Sequence, residues 1–410
     1  MKQRVLIVNK FYYPRGGDCV CTLNLERLLA DRGHDVAVYS MRYPENLPSR
    51  WSGYFASPVD FSGSAKEKLR AAARTMGWGG IRSSFAGILA DFKPDVVHLQ
   101  NIHSYLSPRL AVMARQAGAR VVWTLHDFKP VCPSYGCLRD GKPCEECFDS
   151  KTAVLRHRCM KGSLAGSIVA WLEAMRWNRR ELERNVDVFI CPSEFMRRKM
   201  EKAGFDPAKL RVNCNFVGFD KMERFKTLEA PDRSSRGVYY CYVGRLSEEK
   251  GVESLLEGAS KFPAVLKIAG DGPLLESLSG RYSDNNNIEF LGRRNPDEVV
   301  NLLRGARFSV MPSICYENNP LGVIESLCAG TPVVGAEIGG IPELIVPGKT
   351  GLTFESGNVD ALLKALDAAY KADWDYGAIR GDALDRFSAD RHYRELLDIY
   401  NTHTGPSRRR

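Results

Sequence analysis

Two carboxylates and two cations carry the chemistry legible in this 410-residue chain. Glu317 and Glu325 stand eight residues apart in Glu317-Asn318-Asn319-Pro320-Leu321-Gly322-Val323-Ile324-Glu325. An apolar run from Ala306 to Pro312 precedes them and reads as a strand. The second glutamate opens a helical pattern that stops at Gly330. One carboxylate is therefore expected on a loop after a strand, the other about two turns later in the following helix. A helix N-terminus offers free backbone N–H groups and the positive end of the macrodipole, an anion site that flanking carboxylates could complete by holding sugar hydroxyls. Upstream, Tyr239 to Val243 reads as a buried strand, Gly244 as a turn, and Arg245 and Lys250 as a loop pair before a helix. One forked donor and one point charge at the carboxyl end of a strand suit a pyrophosphate. Singly, each of these four groups is an ordinary solvated charge; their combination is what points to a site.

The elements that must position them alternate between strand and helix, the pattern of parallel sheets with crossover helices. Strands are expected at Val5–Val8, Val36–Tyr39, Asp95–Leu99, Arg120–Leu125 and Val186–Cys191, and again at 238–243, 264–269, 287–291, 307–311 and 332–335. A helix from Thr22 to Arg32 places Leu25, Leu28 and Leu29 on one face and ends at Gly33. Residues 44–84, rich in Pro, Ser, Gly and Arg, read as an irregular excursion. Gly16 and Gly17 follow the first strand and open a helix, where bare backbone can approach a phosphate.

In Gly244-Arg245-Leu246-x-x-x-Lys250-Gly251, Ile268-Ala269-Gly270-Asp271-Gly272-Pro273, Glu317 through Glu325, Ala329-Gly330-Thr331-Pro332-Val333-Val334 and Gly339-Gly340-Ile341-Pro342-Glu343-Leu344, the chain resembles the family 4 retaining glycosyltransferases. These runs span most of the second half in the family's order. The resemblance implies an α/β chain of GT-B architecture, two Rossmann-like doubly wound parallel-sheet domains facing a central cleft. Residues 1–221 would form the acceptor-side domain and 222–386 the nucleotide-sugar domain. Residues 387–410 would hold a helix returning to the first domain, spaced at Tyr393, Leu396, Leu397 and Tyr400, and a basic tail, Arg408-Arg409-Arg410. The implied reaction moves a sugar from a nucleotide-diphosphate sugar to a glycan or lipid-linked acceptor, in surface polysaccharide assembly. Arg245 and Lys250 would neutralise the leaving pyrophosphate, so no catalytic metal is expected. Glu317 would hold sugar hydroxyls beside the N–H groups of Asn318, Asn319, Pro320 and Leu321 (Pro320 lending only its turn), and Glu325 the ribose. Gly16 and Gly17 would face the donor phosphates or the acceptor. His126, at the end of a strand, would lie near the donor sugar, with His103 the competing candidate. The alternatives are another GT-B enzyme, an epimerase or phosphorylase, and a non-catalytic subunit binding a nucleotide sugar or glycan.

One segment departs from the family pattern. Five of twelve cysteines, Cys132, Cys137, Cys144, Cys147 and Cys159, fall within 28 residues as an insertion near 132–159. Cys144-x-x-Cys147 needs only a tight turn to present two thiolates to a tetrahedral zinc, and Cys132 and Cys159 complete a structural tetrad, with Cys137 spare in a Gly turn. Free or buried thiols are the alternative; disulfides are disfavoured in a cytosolic chain. Beyond Cys159, Leu164, Ile168, Trp171, Leu172 and Met175 share one helical face followed by Arg176, Arg179, Arg180 and Arg184. Packing against the sheet is favoured for that face over docking on anionic lipid.

Composition bounds the rest. Hydrophobic residues make up 44% and charged residues 26%, ordinary for a globular protein. No apolar run reaches the roughly 18 residues of a membrane span, and the N-terminus lacks a signal-peptide pattern, so a cytoplasmic location is expected, with peripheral attachment to the inner face of the membrane. Residues 1–200 hold 31 Lys and Arg against 19 Asp and Glu, whereas the remainder holds 27 against 30. A basic first half attracts anionic lipid or anionic substrate. Nucleic acid is not an expected partner, because no recognised nucleic-acid motif accompanies the charge.

Overall fold

The computed structural model describes residues 2–227 and 236–402. Most of the polar stretch between Thr227 and Gly237, and the whole arginine tail, lie outside the described residues. The chain divides into two compact units. One takes the N-terminal segment through Cys137, then Cys144–Asn213, then a return from Tyr393; the other takes Leu138–Pro143 and Cys214–His392. The division thus falls at Cys214, earlier than 222.

The first unit is built on six strands: β1 (Arg4–Val8), β2 (Asp35–Tyr39), β3 (Val96–Leu99), β4 (Arg120–Thr124), β7 (Val188–Cys191) and β8 (Leu210–Val212). Their order is β2-β1-β3-β4-β7-β8, and every pairing is parallel. Val5 to Val8 are buried without alternation, as parallel strands covered on both faces require. The strand order reverses between β1 and β3, so the loops leaving these two strands diverge and open a crevice at their carboxyl ends. Leu396, Ile399 and Tyr400 of the helix Ala389–Asn401 pack into this unit's core with Val5, Ile7, Val96 and Val122. The buried His98 ring joins the Tyr400 hydroxyl at 2.6 Å and the Thr124 hydroxyl at 2.7 Å.

Residues 44–84 are more regular than their composition indicates. A helix spans Ala65–Thr75, started by a capping box in which Ser64 and Glu67 satisfy each other's backbone N–H. A second spans Ile81–Phe92. Within the cysteine-rich segment, β5 (Leu138–Arg139) and β6 (Lys142–Pro143) form a short hairpin through Asp140-Gly141, both at positive φ.

The second unit repeats the plan with β9 (Tyr239–Val243), β10 (Val265–Ala269), β11 (Ile288–Gly292), β12 (Ser309–Met311), β13 (Val333–Ala336) and β14 (Gly351–Phe354). The order is β11-β10-β9-β12-β13-β14, again parallel throughout. Its core centres on Tyr240, Tyr242, Phe308, Leu266 and Val334. Here the order reverses between β9 and β12. The strands that lead into the Arg245 loop and the Glu317 loop are therefore neighbours at a switch point.

Candidate active site

The Arg245 loop is fixed by its neighbours. Gly244 N–H donates to the Ala269 carbonyl at 3.0 Å, Leu246 N–H to Asp271 at 2.9 Å, and Leu274 N–H to Leu246 at 3.1 Å. A Cβ on Gly270 would lie 1.8 Å from the Gly244 carbonyl oxygen, so this motif is glycine because another loop's backbone occupies the space. Leu246 is buried, and Arg245 is left exposed with no ion pair among the described residues. A one-turn helix, Glu248–Lys250, follows and ends at Gly251 with φ +66°. A side chain there would meet the Pro312 carbonyl at 2.0 Å, so the Lys250 turn packs directly on the loop after β12.

That packing brings together the two residues expected to act as one site. Lys250 Nζ donates to Glu317 Oε1 at 2.6 Å, and Ser313 Oγ donates to the same oxygen at 2.7 Å. Burial lowers the Lys250 pKa, but the charge and hydrogen bond of Glu317, together with Cys315 and Glu249, outweigh it and the net shift is upward. The Glu317 backbone is held as firmly as its side chain. Gly340 N–H donates to the Glu317 carbonyl at 2.7 Å, and a Cβ on Gly339 would lie 2.2 Å from that oxygen. The loops after β9, β10, β12 and β13 thus converge on a lysine–glutamate pair with a free arginine on the first of these loops.

The helix Leu321–Cys328 starts at Pro320 without a side-chain cap, which leaves N–H groups of its first turn open for an anion. A Cβ on Gly322 would lie 3.0 Å from Met311 Cε, so the helix start lies close to the end of β12. Asn319 is committed elsewhere: its side-chain oxygen accepts from Asn215 N–H at 3.0 Å and the Cys214 thiol at 3.2 Å. Asn215 in turn donates to the Asn319 carbonyl at 3.0 Å. Glu325 pairs with Lys221 Nζ at 2.5 Å. Neither Lys221 nor Ser313 stands out in the sequence; only proximity in the fold selects them.

In the first unit, the loops after β1, β3 and β4 gather a second polar cluster. Asn101 donates to Asp18 at 2.9 Å, and Asn9 accepts from Asn101 N–H at 3.1 Å. His126 Nε2 meets Gln100 Oε1 at 2.6 Å. Burial raises the Asp18 pKa, but the charges of His126 and Lys10 with the hydrogen bonds from Asn101 and the Cys19 N–H together outweigh it, and the carboxyl is held below its usual range. Burial lowers His126, opposed by Asp18 and Asp127. His103 is buried against the Trp123 ring, with Nε2 3.7 Å from Asp127, and burial pushes it down to about 3. It is a neutral packed ring, whereas His126 keeps a part-exposed edge. Gly16 and Gly17 open the helix Gly17–Asp31; a Cβ on Gly17 would meet nothing, so packing does not demand that glycine.

The cysteine-rich segment gathers several of its thiols. Among the described residues no group of three or more His, Cys, Asp or Glu is placed to hold a metal ion. Cys132, Cys137 and Cys147 meet, and Cys159 lies beside Cys147; Cys132 accepts hydrogen bonds from Cys137 and Cys147, which pulls its pKa down and pushes theirs up. Lys151 Nζ caps the cluster by donating to the Val131 and Cys147 carbonyls, each at 2.6 Å. Cys137, read as spare, is fully buried at φ +47°, while Cys144 is part exposed and meets Cys137 through a backbone bond. Of the expected ligand set, Cys132, Cys144, Cys147 and Cys159, the fold gathers Cys132, Cys147 and Cys159, and the turn at Cys137 directs that thiol inward to join them. Cys137→Ser should cost about 1–3 kcal/mol of stability, having placed a hydroxyl in a buried sulfur site. Cys144→Ser should be nearly neutral. Thermal denaturation of the two variants checks the order, and the reverse order would overturn the inward placement of Cys137.

Two family models share the chain between them. Residues 15–221 match the family model described as Glycosyltransferase Family 4, and residues 223–376 that described as Glycosyl transferases group 1. The sulfoquinovosyl transferase SQD2 of Arabidopsis thaliana is 29% identical over 66% of this chain and 49% of its own length. The putative colanic acid biosynthesis glycosyltransferase WcaL of Salmonella typhimurium is 28% identical over 48% of this chain and 50% of its own. The chain thus spans about half the length of these curated relatives. Among solved structures, Anabaena HepE in complex with UDP-glucose covers 97% of this chain and 99% of its own, with a TM-score of 0.62 at 16% identity, which shows a shared fold. Two parallel, doubly wound sheets with the loops of the second converging on Arg245, Lys250 and Glu317, and family matches over both halves, place this chain in glycosyltransferase family 4, with the GT-B fold.

Proposed function

We propose that this glycosyltransferase is retaining and takes its sugar from a nucleotide-diphosphate sugar. The acceptor is a glycan or lipid-linked glycan in surface polysaccharide assembly, reached at the inner face of the cell membrane. The observation that carries the reading is the Lys250–Glu317 pair beside the unpaired Arg245 at the switch point of the second sheet. Arg245 and Lys250 take the pyrophosphate and stabilise the charge it gains as the glycosidic bond to phosphate breaks. With two fixed cations in that place, the reaction needs no catalytic metal. Glu317, held by Lys250 and Ser313, accepts hydrogen bonds from sugar hydroxyls. The uncapped start of Leu321–Cys328 adds backbone donors, and Glu325 holds the ribose. Retention follows from attack on the face the leaving group vacates, with a phosphate oxygen taking the acceptor proton. The acceptor binds to the first unit near Gly16, Gly17 and His126. A sulfoquinovosyl transferase and a putative colanic acid biosynthesis glycosyltransferase among the relatives, and a structural neighbour solved with UDP-glucose, support the substrate classes.

Arg245→Ala tests the donor assignment with little interference from folding, because this side chain is exposed and unpaired. Its turnover with the preferred nucleotide sugar should fall about ten- to a hundredfold, the loss of one charge-assisted contact. Its melting temperature should match the parent's. A panel of nucleotide sugars in a thermal-shift assay identifies that donor first. Near-normal turnover would overturn the pyrophosphate role.

A further inference from the structure

The helix Leu164–Arg176 is inside out. Its inward face is small and polar: Ser167, Ala170 and Glu173 are its buried residues. Glu173 pairs with the buried Lys129 at 3.1 Å and accepts from Ser104 N–H at 2.8 Å. Its outward face is apolar: Leu164 is 47% exposed, Ile168 41%, Leu172 43% and Met175 50%. Steps of four, four and three residues align these side chains in one stripe. Of the face read from sequence as core, only Trp171 packs inward, against Cys147 and Val154. Among the described residues no element covers the stripe, and a protein surface rarely leaves four such residues in line without a partner.

Charge selects the partner. Arg156, Arg158 and Lys161 are exposed before the helix, and Arg176, Arg179 and Arg180 at its end. Between residues 156 and 180 the only carboxylate is Glu173, which points inward. An exposed tryptophan joins the same end. The Trp177 indole donates to the Thr75 carbonyl at 2.7 Å, a Cβ on Gly77 would lie 3.1 Å from the Trp177 ring, and the next residue, Trp78, is 60% exposed. An apolar stripe between clusters of cations, with an indole at one end, matches a helix lying in the headgroup layer of an anionic bilayer. A second copy of the chain seated on this face would set like charges against each other.

We infer that the outward face of Leu164–Arg176, with Trp78, is the surface by which this protein docks on anionic membrane. The inference gives a definite surface to the membrane location proposed above, and a binding readout lets it fail while the transferase reading stands. The experiment is co-sedimentation of the full chain with vesicles of phosphatidylcholine alone or mixed with phosphatidylglycerol. The parent should bind the mixed vesicles and lose binding as salt rises. Ile168→Ser/Leu172→Ser and Arg176→Gln/Arg180→Gln should each bind at least about tenfold more weakly. Both should keep the parent's melting temperature and its nucleotide-sugar hydrolysis without vesicles, because neither pair is buried or part of the donor site. Failure of the parent to bind, or equal binding by both variants, overturns the inference. So does a parent dimer that Ile168→Ser/Leu172→Ser converts to monomer, which would assign the stripe to a second copy.

Discussion

Lys250→Ala is expected to lose both rate and stability, unlike Arg245→Ala, which should lose rate alone. Turnover should fall about a hundredfold or more, the scale of removing one fixed donor from developing charge in a transition state. The stability loss comes from the partner left behind. Glu317 is only 12% exposed, and without Lys250 its bonded oxygen keeps the Ser313 hydroxyl alone. Stranding a largely buried carboxylate in this way costs about 1–3 kcal/mol. Glu317 raises the Lys250 pKa above its ordinary 10.5, so the lysine's share of stability is complete below that value and is lost only as pH rises through the raised one. The stability gap between variant and parent should therefore be flat between about pH 6 and 9. Lys250→Met separates the two effects. It keeps most of the aliphatic stem and so some packing, but none of the charge, and it should be as slow as Lys250→Ala. Turnover within a few-fold of the parent in both variants would remove Lys250 from the reaction and leave it as a structural partner of Glu317.

The strands of both sheets were legible because parallel strands covered on both faces are near-continuous apolar runs. Val5–Val8 and Tyr239–Val243 need no tertiary information to be found. Two edge strands lack such a run. Leu210–Val212 holds an arginine between two apolar residues, and Gly351–Phe354 opens on glycine and holds a threonine. Both pair at sheet edges, where neighbours supply the register that sequence does not. Other misses had signals that composition obscured. Ser64-Ala65-Lys66-Glu67 is a capping box inside a stretch whose Pro, Ser and Gly content reads as irregular. Asp140-Gly141 is a hairpin turn inside a segment that draws attention to its cysteines.

Within the site, the charged residues that contact each other across the fold could be named from motifs, but their partners could not. Ser313 is an ordinary serine until the chain turns back four residues later to place Glu317 on it. Lys221 lies 104 residues from Glu325 and is defined by contact alone. The helix Leu164–Arg176 shows the opposite limit. Periodicity found its apolar face correctly, but periodicity does not say which way a face points. A buried ion pair, Glu173 with Lys129, decided that by drawing the polar side inward. Cys137 shows a related limit: spacing describes a turn, whereas inward or outward direction there depends on a backbone at positive φ.

Glu317→Gln should be the cleanest of the large losses. The backbone contacts that place residue 317 come from Gly339 and Gly340 to its main-chain atoms, and a change at the carboxylate leaves them intact. Glutamine also keeps an oxygen to accept from Ser313. What disappears is the negative charge, and with it the stronger class of hydrogen bond to a sugar hydroxyl. Turnover should fall about a hundred- to a thousandfold if those bonds tighten in the transition state. A second consequence follows from the lysine. With the Glu317 charge gone, burial loses its largest opponent at Lys250 and the pKa falls. The alkaline limb of the rate profile should therefore move to lower pH in Glu317→Gln than in the parent. The double variant with Lys250→Ala should be less impaired than the product of the two single losses, because each single change already breaks the same 2.6 Å pair. Fully multiplicative losses, with an unshifted alkaline limb, would mean that the two residues act independently and that the pair is not the working unit of the donor site.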